Sequence, residues 1–373
     1  MPAPCINLRP VISVGELPTP SVLVDLDVLS QNVARMQRLA NEAGVALRPH
    51  AKTHKSPDVG RLQLEAGARG LTLAKTSEAE VFAARGFDDL FLAYPIVGAD
   101  KARRLLALAD RVRLTVGADS VEGARSLGGV FAAAGRRLRI RLKVDTGLHR
   151  VGVPPERAVD VAAAIADLPG IELVGVFTHG GQGYGAPTPE EVARVGRAEA
   201  RVLAETAAAL RAAGLPAGDV SVGSTPTAAS AMTGAGVTEC RPGTYVYNDR
   251  SQVALGSCRE EDCALSIVAT VVSVPAGDRA VVDAGSKTLS TDPMRPAEDG
   301  FGAIVGRRSR IVRLSEEHGV LTVEPGERFR VGDRVRILPN HACVVANLHD
   351  ELVAVRGDSV EGRITVAARG RVQ

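Results

Sequence analysis

The sequence predicts an α/β protein, a (β/α)8 TIM barrel followed by an all-β C-terminal domain. Between residues 22 and 241, short β-branched or leucine-rich runs alternate with alanine-rich helical patterns, and eight such strand–helix pairs in about 220 residues are typical of a closed barrel. After about residue 252, short strand-like segments separated by turns replace the long helical patterns. An open doubly wound sheet is the alternative fold, but the Gly-x-Gly-x-x-Gly motif typical of it is absent after the first strand.

The barrel elements follow from local periodicity. In residues 27–43, Leu29, Val33 and Met36 recur at helical spacing, and similar patterns predict helices near 98–109, 120–135, 155–167 and 189–214. The eight candidate strands between the helices are residues 46–48, 70–73, 90–93, 112–116, 138–144, 171–177, 218–222 and 238–240.

The second domain is predicted from its strands and turns. A chain of 373 residues is long enough for two domains, so we expect a barrel over residues 21–252 and a β-domain over residues 253–373, which residues 1–20 would join. Its candidate strands are residues 264–274, 279–284, 310–314, 319–323, 333–338 and 351–355.

Composition excludes several classes of function. A net charge of +2, four tyrosines and no tryptophan argue against nucleic-acid and membrane-surface binding. No apolar run is long enough to span a membrane, and the N-terminus does not resemble a signal peptide. The odd number of scattered cysteines is typical of a reducing compartment, so we expect a cytoplasmic protein. These cysteines are Cys5, Cys240, Cys258, Cys263 and Cys343.

The densest basic cluster is the segment Leu-Arg-Pro-His-Ala-Lys-Thr-His-Lys, residues 47–55. Pro49 ends the preceding strand because it has no N–H group. Closely spaced lysines and histidines lower each other's pKa, and a lysine must be neutral to attack an aldehyde. The cluster therefore indicates a nucleophilic Lys52, and the alternative is a solvated basic loop that caps a helix.

In such barrels the segments after the strands form the active site. Gly223-Ser224-Thr225 follows the seventh strand and Gly243-Thr244 the eighth, and their N–H and hydroxyl groups would suit a phosphate. Helix capping is the alternative for Ser224 and Thr225. On the fifth strand, Arg141 and Lys143 point to one side of the sheet, either towards a ligand or into an ion-pair network inside the barrel.

His341-Ala-Cys343 closes a strand-like segment in the predicted β-domain. Residues i and i+2 of a strand face the same side, so an imidazole and a thiolate would converge, and this pair suits zinc. Such pairs are often accidental, and further ligands would have to come from His318, His349, water or substrate.

Together these motifs resemble the fold-type III pyridoxal-phosphate enzymes, in particular the D-serine dehydratase and D-threonine aldolase branch with its alanine racemase-like barrel. The resemblance covers nearly the whole chain and rests on the 47–55 segment, Val-Asp-Thr-Gly, Gly-Ser-Thr-Pro, Pro-Gly-Thr-Tyr, Asp-Ala-Gly-Ser-Lys, Glu-Glu-His-Gly and Pro-Asn-His-Ala-Cys. It implies a homodimer whose active sites lie where the two domains meet.

The resemblance also implies roles for individual residues. Lys52 would bind pyridoxal 5'-phosphate covalently, and His341 and Cys343 would bind Zn²⁺, with Mn²⁺ as the alternative metal, because a thiolate selects zinc. The other residues expected to contact the cofactor are His50, Arg141, Tyr184, Ser224, Thr225, Arg241, Gly243 and Thr244.

The activity implied is that of a lyase on a small β-hydroxy D-amino acid, with D-serine dehydratase preferred. D-threonine aldolase is the alternative, with His54 as the base that takes the β-hydroxyl proton. A racemase that uses two bases is less compatible, because its second base is a tyrosine of the C-terminal domain and no tyrosine follows Tyr247. A non-catalytic cofactor carrier is a further alternative, but such carriers lack the second domain.

Overall fold

The computed structural model describes residues 12–294 and 299–373. Strand β1 (Ser21–Asp25) leads directly into helix α1 (Leu26–Glu42), whose first turn is capped by the Asp25 carboxylate. The barrel strands follow in chain order: β2 (Ala46–Leu47), β3 (Leu71–Leu73), β4 (Asp89–Pro95), β5 (Arg113–Ala118), β6 (Leu138–Lys143), β7 (Ile171–Phe177), β8 (Asp219–Val222) and β9 (Glu239–Cys240).

Helices alternate with these strands because their apolar faces cover the outside of the sheet. The long helix after β7 has its first turn capped by the Thr188 hydroxyl, and its apolar face is buried while its ion pairs face water. The helices of this half of the chain are α2 (Pro57–Glu65), α3 (Thr76–Ala84), α4 (Ala99–Ala109), α5 (Val121–Ala133), α6 (Ala158–Ala166), α7 (Pro189–Ala212), α8 (Ala228–Ala231) and α9 (Arg250–Ala254).

The eight parallel strands form a closed barrel, as predicted. Each strand from β3 to β9 pairs with the next in sequence, and β9 pairs with β2. A parallel bridge between His50 and Thr72 and the hydrogen bond from Thr72 N–H to Pro49 O, 2.8 Å, join the first strand to β3. The open doubly wound alternative is therefore wrong, because this sheet has no free edge.

The remaining strands form an antiparallel unit, which confirms the predicted all-β domain. Six of them close a small barrel, to which β1 is joined by antiparallel pairing with β10, and β16 pairs in parallel with the other side of β1. The strands are β10 (Leu265–Ala276), β11 (Arg279–Val282), β12 (Gly302–Ile304), β13 (Arg310–Leu314), β14 (Gly319–Thr322), β15 (Arg334–Pro339), β16 (Glu351–Arg356) and β17 (Ser359–Thr365). Strands β1, β12 and β17 had no counterpart among the strands predicted from the sequence.

Strand pairing refines the expected division of the chain. Although the barrel was expected to begin at residue 21, β1 lies in the antiparallel sheet between β10 and β16. Ser13 also pairs with Ser359, so this part of the N-terminal segment contacts the β-domain, while residues 1–11 of the expected 1–20 segment, including Cys5, lie outside the described residues. Within the described ranges, none of the helices combines the length and apolarity required to cross a bilayer.

Two short helices, α10 (Ser286–Leu289) and α11 (Ala342–Leu348), interrupt the β-domain. The second matters for the site, because His341 was expected on a strand and instead stands at the N-terminus of α11, with an extended backbone at φ −142° and ψ 99°. Cys343 lies in the first helical turn. The two side chains therefore converge at a strand–helix junction.

Candidate active site

Two adjoining cavities open at the carboxyl ends of the barrel strands. The first, of about 370 Å³, is lined by the barrel, and the second, of about 480 Å³, reaches the β-domain. Lys52, Tyr184 and Thr244 line both. The expected residues around the first cavity are His50, Lys52, Tyr184, Ser224, Thr225, Arg241, Gly243 and Thr244, and His341 and Cys343 line the second.

Lys52 occupies a tight turn after the first barrel strand. The turn is closed by a hydrogen bond from Lys55 N–H to Ala51 O, 2.7 Å, and an ion pair of 2.8 Å between the Lys55 ammonium and Glu78 anchors it. The Lys52 side chain is accessible from the cavities but surrounded by protein. This burial lowers its pKa, Arg150 lowers it further, and Cys343 and Glu78 oppose the shift.

Two histidines border Lys52. Nδ1 of His50 accepts the Lys52 N–H at 3.4 Å, and Nδ1 of His179 lies 3.2 Å from the carbonyl oxygen of Gly223. Burial holds the pKa of both imidazoles well below its ordinary value, and the Lys52 charge adds to this. Both rings are therefore neutral at pH 7. The mutual lowering of pKa expected for the 47–55 segment is present only at His50, where Lys52 and His54 add to burial; the pKa of Lys52 is lowered by burial and by Arg150, which lies outside the segment.

The two glycine-containing segments after β8 and β9 meet, as their order in the barrel predicted. The Thr225 hydroxyl oxygen accepts the N–H groups of Gly243 and Tyr245, each at 3.2 Å. A Cβ atom at Gly223, where φ is +115°, would lie 2.7 Å from Cys240 Sγ, and one at Gly243 would lie 2.9 Å from Thr53 Oγ1. Both positions thus require glycine, and the backbone here forms a close-fitting cradle.

Cationic side chains dominate the first cavity. Among the described residues, Asp and Glu contribute nothing to its lining, whereas five cations do: Lys52, Lys75, Lys143, Arg150 and Arg241. Burial, reinforced by Arg241 and Arg150, lowers the pKa of Lys143 to about 7. Burial also lowers the pKa of Arg241 to about 10, although Glu239 opposes it. Such a cavity attracts an anionic ligand.

The site residues missing from the sequence prediction are Lys75, Tyr94, Lys143, Arg150 and His179. Lys75, Lys143 and His179 stand at strand ends, which was the available signal for them. Tyr94 and Arg150 had none, because only the closed barrel brings their segments to the cavity. The Lys75 ammonium lies 4.1 Å from the centre of the Tyr94 ring.

Arg141 does not line either cavity, so the structure does not bring it to the place expected for the cofactor. Its guanidinium pairs with Asp219 at 2.9 Å and with Glu239, and Arg48 pairs with the same Glu239 at 2.7 Å. This is the ion-pair network inside the barrel that was the alternative reading. Arg141 lies two positions before Lys143 on β6, one layer deeper in the barrel.

His54 also lies away from the two cavities. Its side chain is fully buried, Nδ1 accepts the Ser56 N–H at 3.1 Å, and its ring packs edge-on against Phe82. Burial lowers its pKa to about 4. The turn that directs Lys52 into the cavity directs His54 into the core, so the structure does not bring His54 to the place expected for a base that acts on the substrate.

The candidate metal pair is organised by two carboxylates. Nδ1 of His341 lies 2.6 Å from the Asp292 carboxylate, and the Ala342 N–H donates to Asp249 at 3.0 Å. Cys343 Sγ contacts Thr53 Oγ1 at 3.2 Å. Across the described ranges there is no group of three or more His, Cys, Asp or Glu side chains placed to hold a metal ion.

His341 and Cys343 form a charged couple. Burial alone would lower the pKa of His341, but Cys343 and Asp292 outweigh it and raise it to about 11. Burial alone would raise the pKa of the Cys343 thiol, but His341 outweighs it and lowers the pKa. His341 therefore favours the thiolate form of Cys343, which is the form that binds metals.

Comparisons with known proteins agree with this geometry. Residues 24–251 match the family described as alanine racemase, N-terminal domain, and residues 264–355 match a putative serine dehydratase domain. The chain belongs to the fold-type III pyridoxal-phosphate family. It lies in the branch that combines these two domains.

Its relatives within the fold-type III family are lyases. The chain is 38% identical to a D-threo-3-hydroxyaspartate dehydratase of Delftia sp. strain HT23, covering 88% of this chain and 91% of that protein. It is 35% identical to a D-threonine aldolase of Arthrobacter sp. (97% and 95% covered) and 30% identical to a D-serine dehydratase of Dictyostelium discoideum (93% and 95%). The protein is therefore a lyase.

Solved fold-type III structures confirm the fold. The Delftia dehydratase superposes with a TM-score of 0.89 at 36% identity, covering 95% of this chain and 98% of that one. A D-threonine aldolase from Filomicrobium marinum gives 0.89 at 31% identity, with 98% and 99% covered. Alanine racemase of Clostridium difficile 630 gives 0.69 at only 15% identity, over 94% and 99%, which shows a shared fold alone.

Proposed function

We propose that this protein is a D-serine dehydratase that uses pyridoxal phosphate and zinc and converts D-serine to pyruvate and ammonia. The observation that carries the proposal is the pairing of His341 with a thiolate, Cys343, beside the cavity that contains Lys52. Within the family that the chain resembles, dehydratases have a His-x-Cys pair at this position, whereas aldolases typically have a His-x-Asp pair.

The first cavity fits pyridoxal phosphate. Its cationic lining suits an anionic ligand, and the Gly223 and Gly243 cradle would hold the phosphate together with the hydroxyls of Ser224 and Thr244. Lys52 would bind the aldehyde, Tyr184 would contact the ring, and Arg241 would face the ring nitrogen, with His50 beside Lys52. Bound pyridoxal phosphate supplies an electron sink for the pair left when a bond to Cα breaks.

The donor atoms of His341 and Cys343 fit zinc. Imidazole and thiolate are typical zinc ligands, and catalytic zinc sites keep positions for water or substrate, so two protein ligands leave room for both. Zinc held there would supply a Lewis acid for the β-hydroxyl group. One solved variant of the Delftia dehydratase has alanine in place of a cysteine and is in the metal-free form. Another has alanine in place of a histidine two positions earlier in the chain. This spacing equals that of His341 and Cys343.

Each side chain of the site then has a distinct task. Lys52 removes the proton from Cα, and its lowered pKa favours the neutral form that this task needs. Arg150 and Lys75 attract the substrate carboxylate. The neutral rings of His50 and His179 add no charge to the cationic lining of the cavity.

A D-threonine aldolase is the second candidate, because the Arthrobacter aldolase is more similar to this chain than the Dictyostelium dehydratase. Retro-aldol cleavage needs a base for the β-hydroxyl proton. His54, the residue expected for that task, is buried away from both cavities, which favours dehydration.

We further propose a cytoplasmic homodimer. Tyr94 and Val151, which line the first cavity, are 45% and 38% exposed, and Val97, three residues after Tyr94, is 60% exposed. A second copy would cover these apolar side chains. Light scattering on the purified protein should give twice the mass of 38.9 kDa calculated for one chain, and a monomer mass would contradict this.

Product analysis tests the activity. The protein, loaded with pyridoxal phosphate and zinc, is offered D-serine, D-threonine and D-threo-3-hydroxyaspartate, and the products are identified by mass. Pyruvate from D-serine, lost on chelation and in Cys343→Ala, is the expected result. Glycine and acetaldehyde from D-threonine would instead establish the aldolase. Oxaloacetate from hydroxyaspartate without turnover of D-serine would overturn the choice of substrate but not the class of reaction.

A further inference from the structure

A buried carboxylate lies behind the proposed phosphate cradle. Glu199, on α7, has no exposed surface and does not line either cavity, so none of the steps above uses it. Burying an ionisable side chain costs free energy unless hydrogen bonds compensate. Its contacts therefore indicate what it contributes.

Glu199 accepts hydrogen bonds from the loops after two barrel strands. Oε1 accepts the Gly223 N–H at 2.7 Å, and Oε2 accepts the Thr227 hydroxyl at 3.1 Å. A Cβ atom at Gly180 would lie only 2.0 Å from Oε2, so the loop after β7 also closes against this carboxylate. The side chain thus fixes both ends of the Gly223–Thr227 loop.

The effect reaches Ser224 through Thr227. Because the Thr227 hydroxyl donates to Glu199, its oxygen is free to accept, and it receives the Ser224 N–H at 3.3 Å and lies 2.9 Å from Ser224 Oγ. Glu199 therefore orients Ser224 without touching the cavity. Ser224 and Thr225 keep their cavity-facing positions.

We infer that Glu199 is a positioning residue for the cofactor phosphate: it fixes the Gly223–Thr227 loop so that Ser224 and Thr225 present their donors to that group. This inference rests on the proposed function, since it assumes that the cradle holds a phosphate. Burial raises the pKa of Glu199, but the Gly223 and Thr227 donors oppose that shift, so the carboxylate form is the one they favour.

The decisive substitution is Glu199→Gln, which keeps the size of the side chain. An amide has an NH2 group in place of one carboxylate oxygen. If that group faces the Gly223 N–H, this hydrogen bond is lost; if it faces the Thr227 hydroxyl, this hydrogen bond is reversed, and in both cases the charge of Glu199 is removed. Thr227→Val breaks the same link from its other end and serves as the second variant. Glu205→Gln is the matched control, because Glu205 lies on the same helix, is 62% exposed and pairs only with Arg201 among the described residues.

The measurement compares two ligands that differ only in the phosphate. Cofactor-free enzyme is titrated with pyridoxal phosphate and with pyridoxal, and dissociation constants are taken from the visible absorbance of the bound ligand. For Glu199→Gln and Thr227→Val we expect the constant for pyridoxal phosphate to rise about tenfold or more, while that for pyridoxal and both constants of the control stay within about twofold.

An equal rise for both ligands would show a general structural role, and an unchanged constant for pyridoxal phosphate would show no role; either result overturns the inference alone. A wild-type protein that binds pyridoxal phosphate no better than pyridoxal would overturn the inference together with the proposed cradle.

Discussion

The barrel and the β-domain furnish the two sides of the site with different chemical groups. The barrel strands present cationic side chains to the first cavity. The barrel carboxylates Glu199 and Glu239 are buried and do not line this cavity. The β-domain contributes a thiolate, an imidazole and Asp292 to the second cavity. The barrel side thus suits anions, and the β-domain side suits a divalent cation.

This separation has a physical reason. A metal ion beside the cationic cavity would be repelled, and carboxylates beside a phosphate would repel that group. The two sets come from different domains, although Lys52 and Arg150 of the barrel reach the second cavity as well. A small substrate bound at the junction could then meet Lys52 on one side and the metal pair on the other.

The largest effect should come from Lys52→Ala, which removes the nucleophile from the barrel side. We expect kcat/KM to fall on the order of 10⁴-fold or more, because both the covalent attachment and the proton acceptor are lost. Zinc affinity should not change, since the metal pair lies on the other domain. Steady-state assays with a zinc titration check this, with the exposed Lys287→Ala as control; loss of zinc binding would break the separation.

Asp292→Asn should weaken the metal side alone. The Asp292 carboxylate lies 2.6 Å from Nδ1 of His341, and such partners fix the ring so that Nε2 faces the metal. We expect zinc affinity to fall about 10- to 100-fold, measured by competition with a coloured chelator, while the affinity for pyridoxal phosphate is kept. Asp350→Asn, at a side chain 84% exposed, is the control; equal zinc affinity in both variants would contradict the assignment.

Lys143→Met should show how much the buried amino group of Lys143 lowers the free energy of unfolding. The folded pKa of Lys143 is about 7, below its ordinary 10.5, so only the unfolded chain is protonated between these values. Lys143 therefore does not lower the free energy of unfolding above pH 10.5. As the pH falls to about 7, it lowers this free energy by on the order of 4 kcal/mol.

The Met variant lacks this dependence. In denaturant unfolding of cofactor-free protein, its free energy of unfolding relative to wild type should increase steadily from about pH 10 to pH 7. A difference that does not vary with pH would mean that Lys143 keeps its charge in the fold.

The smallest effect on activity is expected for His54→Leu. This change removes the acceptor of the Ser56 N–H, so the free energy of unfolding should fall by about 1–3 kcal/mol. Because His54 does not border either cavity, kcat should stay within about threefold of wild type. Denaturant unfolding and steady-state kinetics check both; a large loss of kcat at unchanged stability would restore His54 as a base.

Much of the site could be predicted because it follows the order of the strands. In a barrel, the segments after successive strands meet at one end, so Lys52, Ser224, Thr225, Gly243 and Thr244 could be grouped from their positions in the chain. His341 and Cys343 were paired correctly by their spacing, although the reason given, a shared strand face, differs from the observed strand–helix junction.

The positions of Arg141 and His54 differ from those expected because depth in the barrel and turn geometry decide them. Arg141 and Lys143 share one face of β6, and alternation along a strand does not tell which of them lies at the cavity. The fold answers this, because Glu239 and Asp219 pair with Arg141 in the deeper layer. His54 and Lys52 are two residues apart in a tight turn, where no regular period predicts opposite directions.

By itself, the sequence determined the closed barrel, the all-β second domain, the lysine-bearing turn and the glycine cradle, because these depend on local periodicity and on backbone conformations that few residues allow. Only the tertiary structure decided which charged groups face the cavities, how β1 joins the second sheet, and that Glu199 supports the cradle from behind. These depend on burial and on partners distant in the chain, and pattern within a segment carries no information about either.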